Sequence, residues 1–325
     1  MLVARDRAPK LLVTRGPTPR LPGPTALTIG NFDGVHRGHQ AMIERVIAAA
    51  RARRLVASVL TFEPHPRELF TPNAAPTRLT NLREKLELLA EHGVDHVHVQ
   101  RFSHAFASLA PELFVTRVLC DALAVRWLLV GEDFRFGAKR AGDCATLAEA
   151  AHRHGFELEA MPTIADAGVR VSSSAVRDAL ARGDLARASL LLGRAYSISG
   201  RVVHGDKLGR ALGFATANVQ LKHNRPPLAG IFAVRVYGAG EGAREGVASL
   251  GVRPTVNESG KATLEVHLFD FAGDLYGAHL RVEFLAKIRD EQRYPDLATL
   301  KAQIARDCEA ARAILAAAGT DPVLG

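Results

Sequence analysis

Two histidines in a glycine-containing turn are the best-placed chemical groups in the first half of the chain. His36 and His39 closely follow Asp33-Gly34, and the glycines at 34 and 38 let the backbone approach a phosphate. A helix beginning near Gly38 would add unpaired amide groups and a positive dipole end. The histidines can donate hydrogen bonds to a phosphate as its negative charge grows. The turn therefore predicts a phosphate-centred transfer that needs no covalent nucleophile.

A glycine-rich segment of different design lies in the second half. Its candidate residues are Gly205, Lys207, Gly209, Arg210, Gly213, Thr216 and Asn218. The two cations suit phosphates, and Thr216 with Asn218 offers oxygen ligands suited to Mg²⁺. Glycines alone are equally consistent with hairpin turns. Neither segment has the Walker spacing, and two unrelated phosphate-binding segments predict an enzyme that works in two steps on one substrate.

Composition points to an ordinary globular protein of two domains. The chain has 325 residues, of which 47% are hydrophobic and 23% charged, with a net charge of +8. That length predicts two domains. The chain lacks an aromatic run or a dense Lys/Arg block, so we expect no nucleic-acid partner. The three cysteines are widely spaced, which favours a reducing compartment. The sequence has no apolar signal core and no apolar stretch of membrane length, so we expect a cytoplasmic protein with no membrane partner.

Residues 26–161 alternate between strand and helix patterns. Strands are predicted at 26–30, 55–62, 94–99, 126–131 and 156–161, and helices at 38–53, 81–92, 110–123 and 146–154. This alternation predicts an α/β, Rossmann-like domain with a parallel sheet and helices on both faces. Ligands of such sheets bind beyond the carboxyl ends of the strands.

The period of the pattern changes after a helical stretch at 174–192. Strands are predicted at 196–203, 231–237, 246–250, 263–269 and 280–285, and a helix at 296–317. These predict an antiparallel β-barrel with a carboxyl-terminal helix. We place the domains at 1–188 and 189–325.

Three histidines in the first half could be mistaken for metal ligands. His96 and His98 alternate with valines on a predicted strand, and His92 lies just before it. No carboxylate or cysteine stands at ligand spacing, so we expect an exposed or edge-facing strand surface and no metal site.

Several motifs carry a family resemblance. His36-Arg37-Gly38-His39 resembles the His-x-Gly-His signature of the nucleotidyltransferase superfamily. Together with Gly30–Val35 it is similar to the bacterial bifunctional riboflavin kinase/FMN adenylyltransferases, or FAD synthetases. Further stretches agree in order, at 61–66, 131–137, 171–177 and 183–184. In the second half, Thr216-Ala217-Asn218 resembles the Pro-Thr-Ala-Asn motif of the riboflavin kinase module, and 265–276 is similar to its glutamate-containing stretch.

The resemblance implies two ATP-dependent reactions. The barrel domain would phosphorylate riboflavin to FMN, and the first domain, a nucleotidyltransferase, would transfer AMP from ATP to FMN, giving FAD and pyrophosphate. The implied partners are riboflavin, FMN, FAD and ATP, with Mg²⁺ accompanying ATP. A kinase with a silent first domain, or a flavin-sensing regulator without turnover, are the alternatives.

For adenylyl transfer the resemblance implies His36, His39 and Arg177 as catalytic residues. The implied ATP-binding residues are Gly30, Phe32, Asp33, Gly34, Asp133, Phe136, Gly137, Ser172, Ser173 and Ser174. Serines at a helix start offer hydroxyls and amides to a phosphate, although the run alone would be a helix N-cap. Asp133 with 136–137 suits ribose or adenine, or is a strand-end turn. Phe62, Pro64 and His65 either form a wall against the flavin ring or a proline-stiffened loop.

For the kinase, Glu265 is the candidate general base. Strand alternation places it with His267 on one face of 263–269 and the apolar residues on the other. A carboxylate there can take the proton of the attacking flavin hydroxyl, whereas periodicity alone favours a solvated face. Arg289 and the stretch through Tyr294 would contact the flavin or the nucleotide. One departure from the family pattern is Ala215, which stands where proline is usual, so the loop is less preorganised.

Overall fold

The computed structural model describes residues 11–17, 21–166, 169–205, 213–221, 225–252 and 262–318. The chain forms two compact units. Unit 1 comprises Met1–Pro76 and Leu82–Val171, and unit 2 comprises Thr77–Asn81 and Ser172–Gly325. The predicted boundary between residues 188 and 189 divides the chain into domains that should fold and act independently. This boundary stays a prediction.

Unit 1 is built on a six-stranded parallel sheet. The strands are β1 (Leu12–Thr14), β2 (Thr25–Ile29), β3 (Val56–Glu63), β4 (His96–Arg101), β5 (Val125–Gly131) and β6 (Glu157–Met161). Their order is β1-β4-β3-β2-β5-β6, with every pair parallel. This confirms the predicted parallel sheet. The edge strand β1 was not predicted, because three residues carry no readable period.

Helices cover both faces of this sheet. They are α1 (Arg37–Arg53), α2 (Pro66–Phe70), α3 (Leu82–Glu91), α4 (His104–Ala107), α5 (Pro111–Leu113) and α6 (Cys144–His154). Adjacent residues of β2 serve opposite faces, since Ala26 packs in one core cluster and Leu27 in the other. The helix predicted at 110–123 consists of α5 followed by a π-helical stretch, Phe114–Ala122. A two-stranded hairpin, β7 (Ala165–Asp166) and β8 (Val169–Arg170), follows β6.

Unit 2 begins with two helices where one continuous pattern was predicted. Helix α7 (Ser173–Ala181) and helix α8 (Leu185–Leu192) are separated by Gly183, whose φ is 74°. The carboxylate of Asp184 accepts the amide proton of Arg187 at 2.9 Å, so it caps the second helix. The apolar period survives across the break, which is why sequence periodicity suggested a single helix.

The rest of unit 2 is a closed antiparallel barrel with one long helix. Its strands are β9 (Tyr196–Val203), β10 (Ala217–Val219), β11 (Gly230–Tyr237), β12 (Ala243–Val252), β13 (Ala262–Leu268) and β14 (His279–Arg289), and the helix is α9 (Leu297–Ala318). The order is β10-β13-β12-β11-β14-β9, and β9 pairs with β10 to close the barrel. The predicted barrel and terminal helix are confirmed. Strand β10, which carries Asn218, was predicted only as a loop motif.

Helix α9 is held to the outside of the barrel by apolar packing and one ion pair. Ala311 and Leu315 are buried against outward-facing residues of the barrel. The guanidinium of Arg289 donates to both carboxylate oxygens of Asp307, at 2.8 and 2.6 Å. This pair is largely buried, so losing one partner would leave an uncompensated charge.

The expectation of an exposed surface at His96 and His98 is wrong. Their residues are 0% and 1% exposed, because β4 lies between β1 and β3. The Thr14 hydroxyl lies 2.7 Å from His96 Nε2 and 2.9 Å from His98 Nδ1. Ser58 donates its hydroxyl proton to a backbone carbonyl and therefore accepts from His96 Nδ1, at 3.1 Å. A neutral His96 must then accept the Thr14 proton at Nε2.

Unit 1 should lose stability as the pH falls from about 6.5 to about 4. Burial, and then the charge of His98, lower the pKa of His96 from 6.5 to about 4, and burial also lowers the pKa of His98. The unfolded chain therefore takes up these protons first, which costs the folded state at most about 1.4 kcal/mol per pH unit for each histidine. Urea unfolding followed by fluorescence of Trp127, the single tryptophan, measures this.

His96→Asn should flatten the pH dependence of that transition. Replacement of the exposed His152 by Gln serves as the control and should leave it unchanged. If the unfolding free energy of His96→Asn depended on pH as steeply as that of the wild type, protonation of the buried His96 could not be its cause.

Candidate active sites

The predicted histidine turn forms at the carboxyl end of β2, where the chain passes into α1. Phe32 and Val35 adopt left-handed backbone conformations, with φ of 48° and 41°, on either side of Asp33 and Gly34. Such conformations are costly for residues with side chains, and Phe32 and Val35 are held there by complete burial. No acidic residue stands in the first turn of α1, so no side chain within that turn offsets its positive dipole end.

The two histidines lie against each other in this turn. Their rings stack with centroids 3.6 Å apart, and Phe32 packs 4.9 Å from the ring of His39. His36 is the N-cap of α1, and its Nδ1 accepts the backbone amide proton of His39 at 3.3 Å. A neutral His36 therefore carries its proton on Nε2.

His39 is held in its neutral form. Burial, followed by the charges of His36 and Lys85, lowers its pKa well below 6.5. Its Nδ1 is buried and has no hydrogen-bond partner in the described part of the chain, and the same holds for Asn31 Oδ1. Buried polar atoms without partners are rare in native proteins. Two of them in one turn mark a place where a polar ligand fits.

Lys85 is a candidate that sequence reasoning missed. It lies on α3, is 6% exposed, and donates its Nζ to Thr61 Oγ1 at 3.3 Å. Thr61 in turn donates to the backbone carbonyl of Asn31 at 3.1 Å. A buried cation thus lies near the histidine turn. The available signal was a lysine on the apolar side of an amphipathic helix.

Gly38 makes room for two neighbours in this turn. A Cβ at this position would lie 3.2 Å from the His36 ring and 3.4 Å from the carbonyl oxygen of Val171. The residue that precedes the serine run in sequence is therefore close to the histidine turn. Gly30 is similarly restricted, because a Cβ there would crowd the Phe32 ring at 3.1 Å.

The remaining predicted ATP-binding residues of unit 1 have partners within it. Asp133 accepts a hydrogen bond from Arg170 at 2.7 Å, in an exposed ion pair. Phe136 is buried beside Phe134, with ring centroids 5.7 Å apart. Gly137 has a φ of 71°. These contacts give the loop a defined shape, and its role toward ATP stays a prediction.

The predicted flavin wall is an aromatic cluster. Phe62 packs edge-on against Phe102, with ring centroids 5.6 Å apart, and tilted against Phe106 at 6.1 Å. His65 caps α2 by accepting the Arg67 amide proton at 3.2 Å, and Pro64 is half-buried beside it. A flavin contact here stays a prediction.

The serine run and Arg177 belong to α7 of unit 2. Ser172 is the N-cap and accepts the Ala175 amide proton at 3.2 Å, while Ser173 and Ser174 form the first turn. The first turn of α7 has no acidic residue. Arg177 donates its Nε to the carbonyl of Thr77 at 2.5 Å, which ties the helix to segment 77–81.

The barrel register brings the predicted kinase residues into one row on its outer face. Asn218 of β10 pairs with Glu265 of β13, Glu265 pairs with Ser249 of β12, Ser249 with Ile231, and Ile231 with Arg289. The flanking residues on β13 point inward, with Leu264 and Val266 at most 1% exposed. Side chains of directly paired residues lie about 4.5–5.5 Å apart at Cβ, so Asn218 and Glu265 are neighbours.

The side-chain amide of Asn218 also lies directly against Gly205. A Cβ added at Gly205, just beyond the end of β9, would overlap the Asn218 side chain. The structure therefore gives Gly205 a steric role, where the sequence suggested only flexibility. Lys207, Gly209 and Arg210 lie outside the described residues, and Gly213 is exposed with a φ of 91°.

A cavity of about 100 Å³ opens beside Thr216, the residue before β10. Its lining comes from the barrel strands and from the segment after β13, and includes Ala215, Thr216, His267, Phe271 and Tyr276. The Nδ1 of His267 lies 2.8 Å from the carbonyl oxygen of Ala215. The proposed metal ligand Thr216 thus lies on the wall of a partly aromatic cavity.

The other end of the row holds Arg289, Ser249 and Glu291. Arg289 forms the ion pair with Asp307 of α9 that is described above. Its contact with flavin stays a prediction. Ser249 donates to Glu291 Oε1 at 3.1 Å, and the Glu291 carboxylate occupies the space that a side chain at Gly251 would fill. Sequence reasoning missed Ser249 and Glu291, because only the strand register reveals their proximity to Glu265.

Each half of the chain matches a family model. Residues 18–175 match the FAD synthetase model and residues 192–315 match the riboflavin kinase model. The bifunctional riboflavin kinase/FMN adenylyltransferase of Escherichia coli K12 is 53% identical over 281 residues, covering 86% of this chain and 90% of that protein. The Pseudomonas fluorescens protein of the same description is 50% identical over 289 residues, covering 89% and 92%.

A solved structure also covers nearly the whole chain. It is described as a macrolide-efflux protein from Streptococcus pneumoniae, with 28% identity, a TM-score of 0.79, and coverage of 93% of this chain and 99% of that one. Among the described residues here, no helix has the length and apolar character needed to cross a membrane.

The His39 ring should titrate well below pH 6.5, because burial, and after it the electrostatic interactions with His36 and Lys85, oppose its protonation. Carbon- and nitrogen-detected NMR of the histidine rings, from pH 8 downward, measures this, and His39→Gln identifies the resonance by its loss. A His39 midpoint at 6.5 or above would contradict the described environment of the ring.

Proposed function

This chain belongs to the family of bifunctional riboflavin kinase/FMN adenylyltransferases, and we propose that it makes FAD from riboflavin in two ATP-dependent steps. Unit 2 phosphorylates riboflavin to FMN. The histidine turn of unit 1 then serves transfer of AMP from a second ATP to FMN, which releases pyrophosphate. The observation that carries the proposal is that two family models match separate segments of one chain, and each segment contains one of the two predicted phosphate-binding motifs.

In adenylyl transfer the protein stabilises charge and does not form a covalent intermediate. His36 donates from Nε2 to oxygens of the reacting phosphate, and the amino-terminal end of α1 adds its dipole. Neutral His39 contributes a ring that can donate a hydrogen bond without repelling the cation of Lys85. The family resemblance also assigns phosphate binding in this reaction to the serines of α7 and to Arg177.

In the proposed kinase reaction, the residues of the row on the barrel take different roles. Glu265 takes the proton from the terminal ribityl hydroxyl of riboflavin as that oxygen attacks the γ-phosphate of ATP. Asn218 lies on one side of Glu265 and the Ser249–Glu291 pair on the other. We assign the Asn218 side to ATP and the Ser249 side to the flavin.

Thr216 and Asn218 fit a magnesium site that is completed by the nucleotide. Their hydroxyl and amide oxygens are hard, neutral ligands, and Mg²⁺ typically takes only one or two protein ligands beside phosphates and water. The absence of a Cβ at Gly205 leaves room for the Asn218 amide in its present position. The ion would neutralise phosphate charge as the γ-phosphate is transferred.

The two reactions should be separable by mutation of the histidine turn. Incubation of the full chain with riboflavin, ATP and Mg²⁺, followed by chromatography, should give FMN and FAD. With His36→Ala or His39→Ala, FAD formation should fall by at least about 100-fold, a typical cost of losing a transition-state hydrogen-bond donor, while FMN accumulates. Loss of both products in a folded variant would refute the assignment. FMN alone from the wild type would indicate a silent first domain, and neither product a regulator.

Glu265→Gln should produce the opposite pattern. The amide keeps the size of the side chain but cannot accept the proton, so FMN formation should fall by about 10²–10⁴-fold. Riboflavin binding, followed by flavin fluorescence, should persist, and added FMN should still become FAD. Thr216→Ala should instead raise the ATP and Mg²⁺ concentrations that the kinase needs. Near-normal kinase turnover in Glu265→Gln would leave Glu265 as a structural strand residue.

A further inference from the structure

Few contacts from the described residues hold the segment that carries Thr216. Gly213 and Ala215 are exposed, and no atom of the described part of the chain lies within 4 Å of a Cβ placed on Gly213. Alanine at 215 leaves its φ free, unlike proline, whose ring fixes this angle. A loop of this kind must be ordered by contacts from elsewhere before Thr216 can serve as a ligand.

One imidazole supplies those contacts. His267 Nδ1 lies 2.8 Å from the Ala215 carbonyl oxygen, and a carbonyl only accepts hydrogen bonds, so Nδ1 carries the proton. The His267 ring also meets the ring of Phe214 edge-on, with centroids 5.5 Å apart. Both residues immediately before Thr216 are therefore anchored on the same side chain.

The imidazole is itself fixed by the barrel. His267 pairs with Val247 of β12, and its neighbours Val266 and Leu268 are buried in the barrel wall at 0% and 6% exposure. The ring also packs against Phe269, with centroids 5.9 Å apart. A group on a rigid strand thus positions an exposed loop.

We infer that His267 is a positioning residue of the kinase reaction: it holds residues 214–216 so that the Thr216 hydroxyl is presented to magnesium-bound ATP beside Asn218. The inference rests on the proposed role of Thr216. His267 and Ala215 both line the cavity next to Thr216, so their bond also sets the shape of that wall. The hydrogen bond from His267 thus replaces part of the backbone restraint that a proline at position 215 would provide.

A matched pair of variants separates the hydrogen bond from the ring. His267→Asn keeps an N–H donor near the position of Nδ1, and His267→Phe keeps the edge-on contact with Phe214 but has no donor. Loss of one such hydrogen bond should raise the KM for magnesium-ATP about fivefold, with kcat and the KM for riboflavin little changed. His267→Asn should remain within about twofold of wild type. His267→Gln, whose donor lies one bond too far, should resemble His267→Phe.

Ala215→Pro tests the coupling. Proline at 215 should recover most of the lost affinity in His267→Phe and change the wild type little, so the two substitutions should be non-additive. FMN adenylylation in the same preparations and thermal unfolding report on the intact fold.

Three results would overturn the inference: an unchanged KM for magnesium-ATP in His267→Phe, an equal loss in His267→Asn, or strict additivity with Ala215→Pro. Thr216→Ala distinguishes this failure from failure of the proposed site. If Thr216→Ala leaves the ATP and Mg²⁺ dependence unchanged, the proposed ligand role falls. If Thr216→Ala changes that dependence and His267→Phe does not, only the positioning role falls.

Discussion

Strand register is the constraint on which the kinase half of the molecule depends. Asn218, Glu265 and Ser249 come from three strands, and only their pairing places them side by side. Because side chains alternate with a period of two, a slip by one residue would turn Glu265 into the barrel and expose Leu264. Burial of the apolar face therefore also fixes the face that carries Glu265. Closure of the barrel through β9 and β10 removes the free edges at which such slips begin.

In the histidine turn, side chains are positioned by a strained and buried backbone and not by strand register. It lies after a buried parallel strand, where the chain must turn sharply into α1, and two residues with side chains adopt left-handed conformations there. Packing of Phe32 and Val35 in the core offsets that cost. The same packing holds Phe32 against His39, and His39 Nδ1 and Asn31 Oδ1 are buried without a hydrogen-bond partner among the described residues. Strain, burial and an incomplete hydrogen-bond set thus coincide at the place where chemistry is proposed.

Sequence patterns predicted both architectures and the two-sided character of β13, because alternation over seven residues is a local property. They could not predict β10, whose three residues become a strand only through remote neighbours. Lys85 and Ser249 escaped for a related reason: each reaches its site from an element distant in sequence. The histidines of β4 were misjudged, since polar residues on a strand suggest exposure. Their partner Thr14 lies on an edge strand too short to recognise.

Gly205 has a consequence for how this protein can change over evolutionary time. Its restriction is spatial, since the Asn218 amide fills the volume that any Cβ would need. Every substitution of a glycine by another genetically encoded residue adds a Cβ. Any substitution of Gly205 would therefore clash with Asn218 as long as Asn218 keeps its present rotamer. A side chain at position 205 would therefore displace the Asn218 amide, and with it the oxygen that is proposed to bind the metal.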